Sequence, residues 1–345
     1  MQLEVSDIQV AFGGNTILDH LSLALETGEI GCLLGASGCG KTTALRAIAG
    51  FEAVTQGRIL IGGQEISRPG WTLAPQRRRV GMVFQDYALF PHLSAAQNIA
   101  FGLRHLSRDD KRRRVAEMLD LVGLAAVAHH YPHQLSGGQQ QRVAVARALA
   151  PDPALLLMDE PFSNLDVELR ERLSVEVRAI LKAAGTTALL VTHDQHEAFA
   201  IADRVGLMSD GRIEQWDTPY NLYHHPRSRT VARFIGQGVL VPGEVLENGR
   251  IRVPMGELPA PMALTAGTAV DVLLRPDDII HDDTSPLKAT ITAKAFRGAS
   301  ILYSLELPCG TRLLALVPSH HNHAIGEAIG VRLDTQHVVA FPASA

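Results

Sequence analysis

Three short apolar runs mark the first two-thirds of the chain: Glu29-Ile30-Gly31-Cys32-Leu33-Leu34, Ala154-Leu155-Leu156-Leu157-Met158 and Ala188-Leu189-Leu190-Val191-Thr192. Each is too short for a helix and almost free of polar residues, the pattern of a strand covered on both faces. Helical spacing lies between and beyond them. Ala44 to Ala49 are helix formers stopped by Gly50, and Val115, Met118, Leu119 and Val122 fall at i, i+3, i+4 and i+7 ahead of Gly123. Leu169, Leu173, Val177, Ile180, Leu181 and Ala184 repeat that spacing up to Gly185. Apolar strands alternating with helices predict a parallel sheet with helices on both faces.

After Gly236-Gln237-Gly238 the period changes. Ile301, Tyr303, Leu305 and Leu307 alternate with Leu302, Ser304 and Glu306, and further strand-like pieces are set apart by Gly, Pro, Asp and Asn. This predicts a small antiparallel barrel. The expected organisation is an α/β domain over 1–236, with a helical subdomain at about 86–152, and an all-β, OB-like domain over 239–345.

Composition narrows the class. Over 345 residues, 46% are hydrophobic and 20% charged, enough apolar side chain for a core and too much for a disordered chain. The net charge of −4 argues against a protein held to nucleic acid by bulk charge. No apolar stretch approaches membrane-spanning length, and the acidic start MQLEVSDIQV is unlike a signal peptide. Three cysteines, Cys32, Cys39 and Cys309, fit a reducing compartment. The basic runs Arg77–Arg79 and Lys111–Arg114 read as solvated faces.

The chemistry begins at Gly35-Ala36-Ser37-Gly38-Cys39-Gly40-Lys41-Thr42, a full G-x-x-x-x-G-K-[ST] placed after a strand and before a helix. Glycines let backbone N–H groups turn inward around phosphate oxygens, and the helix N-terminus adds partial positive charge. Ser37, Gly38, Cys39, Gly40, Lys41, Thr42 and Thr43 would surround the phosphates of ATP, with Lys41 on the β- and γ-phosphates and the Thr42 hydroxyl on Mg²⁺. Asp159 and Glu160 close the second apolar run. Asp159 would hold Mg²⁺ through water, and Glu160 could take a proton from the attacking water. These two motifs fit any ATPase of the P-loop NTPase fold.

Leu135-Ser136-Gly137-Gly138-Gln139 opens another helix, with Ser136 a natural N-cap. Two phosphate-binding helix ends are more than one ATP needs from one monomer. The economical reading is a homodimer, with ATP between the loop of one copy and Ser136, Gly137, Gly138 and Gln139 of the other.

With these motifs in order, the whole chain closely resembles the ATP-binding subunits of ABC transporters. The resemblance implies further roles. Gln85, in Val83-Phe84-Gln85-Asp86-Tyr87, would sense Mg²⁺ and water; Asp166, in Ser163-Asn164-Leu165-Asp166, would link the two sites across the dimer; His193 would reach the γ-phosphate. Phe12 would stack on adenine. Ala36 stands where many relatives carry Pro, at a position that contributes only backbone.

Leu274-Arg275-Pro276-Asp277-Asp278, Gly211–Gln215 and Thr218–Tyr223 resemble the accessory barrel and connector of bacterial importer ATPases serving sugars, sulfate, polyamines or iron. Phe234–Gly238, Phe296–Ala299 and Leu316–His321 are most similar to iron(III)-importing members. The implied protein is peripheral, on the cytoplasmic face of the inner membrane. It would sit under integral permease subunits fed by a periplasmic substrate-binding protein, and a groove including Phe90–Leu93 would receive a permease helix. A soluble ABC ATPase would carry coiled-coil inserts or two cassettes, and a small-molecule kinase would not need Leu135–Gln139. His320, His321 and His323 read as a solvated histidine loop, since no cysteine pair or carboxylate stands at metal-site spacing.

Overall fold

The computed structural model describes residues 1–260 and 264–343. It divides the chain into two units, Met1–Pro219 and Tyr220–Ala345.

In the first unit the strands β1 (Leu3–Phe12), β2 (Asn15–Leu25) and β3 (Ile30–Gly35) lead into helix α1 (Lys41–Ala49). Then come β4 (Gln56–Ile61), β5 (Gln64–Arg68), β6 (Trp71–Thr72) and β7 (Val80–Val83). A helical stretch follows, with α2 (Ala95–Ala100), α3 (Arg108–Leu121) and α4 (Gly137–Leu149). The unit closes with β8 (Leu155–Asp159), α5 (Val167–Ala183), β9 (Ala188–Thr192), α6 (Gln195–Ile201), β10 (Arg204–Ser209) and β11 (Arg212–Asp217).

The three apolar runs are the middle of a sheet ordered β11-β10-β3-β9-β8-β7, parallel throughout except for β11 at one edge. Every residue of β3 and β9 is buried. Such strands need cover on both faces, which explains their unbroken apolar character. An antiparallel sheet ordered β2-β1-β4-β5-β6 shares one core with α1 and the parallel strands, joining Leu3, Ile8 and Leu21 to Leu45, Ile48, Leu157 and Val191. Because β7, β8, β9 and β3 run parallel, Gln85, Asp159, His193 and the glycine loop all follow strand ends on the same edge of the sheet, where open α/β sheets bind ligands. Among the described residues, no helix is long and apolar enough to cross a membrane.

One of the basic runs departs from its expected solvated face. Arg78 is only 3% exposed. Its guanidinium donates to the carbonyls of Ala47 (3.0 Å) and Ile48 (2.8 Å), at the C-terminal end of α1, and to Leu73 O at 2.7 Å. A cation on carbonyls of the last helical turn offsets its burial; that burial holds its pKa down, at about 10.

The second unit opens with the helices α7 (Pro219–His224) and α8 (Arg229–Phe234). Its strands are β12 (Val239–Val245), β13 (Arg250–Val253), β14 (Gly256–Pro259), β15 (Ala269–Leu274), β16 (Ile279–His281), β17 (Lys288–Phe296), β18 (Ser300–Glu306), β19 (Arg312–Pro318), β20 (Ala328–Leu333) and β21 (Val339–Pro342). Among the described residues they pair only antiparallel, in the orders β14-β13-β12-β15-β21 and β16-β20-β17-β18-β19. Both sheets wrap one core that includes Val241, Val272, Ile301, Tyr303, Leu305 and Val317, a nearly closed OB-like barrel. The alternation in β18 holds: Ile301, Tyr303 and Leu305 are buried and their neighbours half-buried. The division at Pro219 lies upstream of the 237–240 boundary expected from the change of period. Packing explains this. Ala232 of α8 clusters with Leu273 and Phe341 of the barrel, Arg229 pairs with Asp271, and Arg275 donates to Ala232 O at 3.2 Å.

Candidate active site

The loop between β3 and α1 turns on glycines. Gly38 and Gly40 have φ of +84° and +104°, a region costly for other residues. A Cβ at Gly35 would lie 2.5 Å from the backbone oxygen of Met208, and one at Gly40 2.8 Å from the Leu18 side chain. So the loop is pressed against its neighbours as well as sharply turned. Lys41 is 5% exposed, and its ammonium donates to the carbonyls of Gly35 (2.9 Å) and Ala36 (2.8 Å). Its charge is thus held along the inside of the loop. α1 starts at Gly40 with no side-chain cap, so its first-turn N–H groups have no acceptor from a capping side chain. Ser37, Gly38 and Thr42 are exposed, Cys39 and Thr43 half-buried.

Two acids stand at the end of β8. The Thr42 hydroxyl donates to Asp159 Oδ1 at 3.2 Å. Burial pushes the Asp159 carboxyl up from its ordinary value; the Thr42 hydrogen bond works against this, and the neighbouring Glu160 adds to it. Glu160 has φ +43°, and its carbonyl accepts from Ser163 Oγ at 3.0 Å. A left-handed glutamate directly after a strand is strained backbone that its surroundings must hold. Its Oε2 lies 3.3 Å from His193 Nδ1, which brings together the proposed base and the histidine at the end of β9. The residues on either side of His193 are tied down. The Thr192 hydroxyl bonds Glu197 Oε2 and accepts from Asp194 N at 3.0 Å, while Arg170 of α5 pairs with Asp194 and Glu197. Burial pushes the Glu197 carboxyl up.

Ser136 caps α4 with a reciprocal box: its Oγ accepts from Gln139 N (3.3 Å) and Gln139 Oε1 accepts from Ser136 N (2.9 Å). A Cβ at Gly138 would meet Leu173 at 2.9 Å, and one at Gly137 would meet Leu165 at 3.1 Å. The structure therefore joins Thr42 to Asp159 and Glu160 to His193. The Ser136–Gln139 group is bonded within itself and packed on Leu165 and Leu173. Asp166 caps α5 through Leu169 N at 2.9 Å. Gln85 is exposed in the turn after β7, and Phe12 is 47% exposed at the end of β1.

Two positioning residues escaped the sequence reading. Arg147, near the end of α4, donates to the carbonyls of Tyr87 (2.8 Å) and Ala88 (2.6 Å), both with positive φ, and so ties α4 to the segment after Gln85. Asn164 donates to Gln85 O at 2.9 Å and ties the segment before α5 to the same place. A basic residue in the last turn of a helix was the only signal for Arg147; Asn164 stands inside the Ser163–Asp166 motif, where only Asp166 was given a role.

Comparison with known proteins matches residues 18–163 to a family described as ABC transporter and residues 272–341 to the TOBE domain. The chain is 42% identical to the Fe(3+) ions import ATP-binding protein FbpC of Streptomyces coelicolor, covering 99% of this chain and 97% of that protein. It is 44% identical to the spermidine/putrescine import ATP-binding protein PotA of Pseudomonas fluorescens, over 92% and 91% of the two. It is 43% identical to the sulfate/thiosulfate import ATP-binding protein CysA 2 of Chromobacterium violaceum, over 97% and 93%. Among solved structures, cbiO1 from Clostridium perfringens, part of the ABC transporter complex cbiONQ, matches with a TM-score of 0.61 and 29% identity, covering 65% of this chain and 91% of that one.

Proposed function

The chain belongs to the ATP-hydrolysing import proteins of the ABC transporter family, and on that premise we propose that it drives iron(III) import as a homodimer with two ATP sites, each shared between the copies. The observation that carries the catalytic half is the pairing of Thr42 with Asp159 and of Glu160 with His193 beside an uncapped, glycine-turned helix. In this reading the loop and Lys41 bind and orient the β- and γ-phosphates. Glu160 accepts the proton of the attacking water, and His193 contacts the γ-phosphate. Ser136, Gly137, Gly138 and Gln139 complete the site from the partner copy, Asp166 faces it across the dimer, and Phe12 stacks on adenine. Thr42, Asp159 and Gln85 offer only oxygen donors, the set a hard cation takes, so they suit Mg²⁺. Bound there, Mg²⁺ would neutralise phosphate charge.

Closure on ATP and opening after hydrolysis would be the output passed to two permease subunits at the cytoplasmic face of the inner membrane. The face between α2 and α3 suits such a partner: Ala96, Ala100, Val115 and Leu119 line it, rimmed by Lys111 and Arg112. Phe90, whose N–H donates to Asn98 Oδ1 at 2.9 Å and whose ring packs tilted against Phe101, adjoins α2. A periplasmic binding protein would deliver the cargo.

Iron(III) is favoured by the near end-to-end match to the FbpC protein, barrel included. The slightly higher identity to PotA favours polyamines as the second reading. Size-exclusion chromatography of Glu160→Gln with Mg²⁺ and ATP tests the dimer. A stable nucleotide-bound dimer, with turnover reduced about 10²–10⁴-fold, is expected; a persistent monomer would overturn the shared site. Uptake of labelled iron, spermidine and sulfate in a deletion strain decides the cargo, and loss of spermidine uptake alone would overturn iron.

A further inference from the structure

The barrel unit holds a cluster of imidazoles that the ATPase chemistry leaves unused. The sequence presents His320, His321 and His323 as one loop. The fold adds His281 from the end of β16, which pairs with β20 opposite Val331. One ring nitrogen each of His281, His321 and His323 lies within 4.8 Å of the others. The rings of His321 and His323 each stand 4.9 Å from that of His281, at steep angles of 61° and 58°.

The loop is built to hold this arrangement. Tyr303 on β18 is fully buried, and its hydroxyl donates to His321 O (2.8 Å) and accepts from His323 N (2.9 Å). One side chain therefore pins the backbone on both sides of Asn322. Glu327 Oε1 lies 2.8 Å from His323 Nδ1. A carboxylate there fixes the tautomer with the proton on Nδ1 and leaves the Nε2 lone pair free, the arrangement that supports metal-bound histidines.

The strongest sign of a missing partner is electronic. The Nε2 atoms of both His281 and His323 are buried and have no hydrogen bond among the described residues. A polar nitrogen shut away from water without a partner carries a desolvation cost. Asp283 Oδ1 lies 3.0 Å from His281 Nε2, an ion-pair distance without hydrogen-bond alignment, and its carboxylate is 81% exposed at the rim. It could turn toward a cation.

We propose that His281, His321 and His323, with Asp283 at the rim, bind one borderline divalent transition-metal ion of the Zn²⁺ type. Imidazole donors with one carboxylate select Zn²⁺, Co²⁺, Ni²⁺ or Fe²⁺ over Mg²⁺, so the site does not compete with the cation that accompanies ATP. Zinc–nitrogen bonds of about 2.0–2.1 Å draw the ligand atoms closer than the 4.8 Å limit within which they now lie, by small rotations of the rings. The ion would clip β16 to the loop after β19.

The test is calorimetric titration of Zn²⁺ into the full chain without nucleotide, with Co²⁺ as the optical probe. The expected result is one tight Zn²⁺ per chain and the visible absorption of tetrahedral Co²⁺. His281→Ala and His321→Ala should each remove it, while Glu327→Gln should weaken binding about 10–100-fold and His320→Ala should leave it intact. Circular dichroism in chelator checks folding. Should His281→Ala unfold, the half-buried loop variant His321→Ala and the pair His321→Ala/His323→Ala carry the test. Tight binding that survives in the pair, or no tetrahedral Co²⁺ signal in the parent chain, would overturn the site.

Discussion

Two helices of the first unit begin at glycine-rich turns and treat their first-turn N–H groups in opposite ways. α1 starts at Gly40, with φ +104° and no side-chain cap, and the ammonium of its first residue, Lys41, rests on loop carbonyls. α4 starts at Ser136, which forms a complete capping box with Gln139. The first start leaves donors open and is stabilised by its surroundings; the second satisfies part of its own demand and is stable by itself. A phosphate chain therefore has more to gain at α1. α4 offers a preformed tip whose Ser136 hydroxyl proton remains a donor while its oxygen caps the helix. That difference fits a principal site at α1 completed by a rigid tip from a second copy.

The sharpest way to break this comparison is to remove one charged or polar group from each start. Lys41→Ala should lower kcat/KM for ATP about 100–1,000-fold, the loss typical when one preorganised donor to developing charge is deleted, and should abolish stabilisation by ATP in thermal unfolding. Gln139→Ala should cost far less in turnover. Equal losses in a steady-state assay would mean that the two starts do equivalent work and that the capping difference carries no functional meaning.

The next effect is on stability. Ser136→Ala removes an N-cap, at a cost of about 1 kcal/mol, a fall of roughly 2–4 °C in Tm for a unit of this size. Hydrogen exchange should speed up first in Gln139 and Gln140. α1 has no such cap to lose, so changes at Ser37 should leave its exchange rates unmoved without nucleotide.

Much of this was legible before any coordinates, for a physical reason. Strand, glycine loop and helix are neighbours in sequence, and fully apolar runs such as Leu155–Met158 announce strands buried on both faces. A parallel sheet then carries their C-terminal ends to one edge. What stayed hidden depends on contacts between distant segments. Arg147 reaches Tyr87 and Ala88, Arg78 caps α1 from a run that looks solvated, and His281 meets a loop beyond three intervening strands. Of these, only Arg147 carries a local signal, a basic residue in the last turn of its helix. The unit boundary was hidden likewise, because α8 keeps a helical period while its Ala232 packs on barrel residues.

The smallest expected effect sharpens the comparison most, because its sign differs from that of Ser136→Ala. Asp159 is an acid whose carboxyl is pushed up by burial, with Thr42 only partly offsetting it. Such a group costs stability wherever it is ionised. The penalty is complete above the raised pKa, shrinks as pH falls through it and is gone below the ordinary value of 3.8. In the nucleotide-free chain at pH 7, Asp159→Asn should therefore unfold at a slightly higher temperature than the parent. The gap should close as the pH is lowered toward 4. Turnover should fall in the same variant. Differential scanning calorimetry at pH 7 and pH 4 reads both signs. A loss of stability in Asp159→Asn at pH 7 would mean that the α1 start is as self-satisfied as the α4 start, and that its carboxylate is not held at a cost for a cation and a nucleotide.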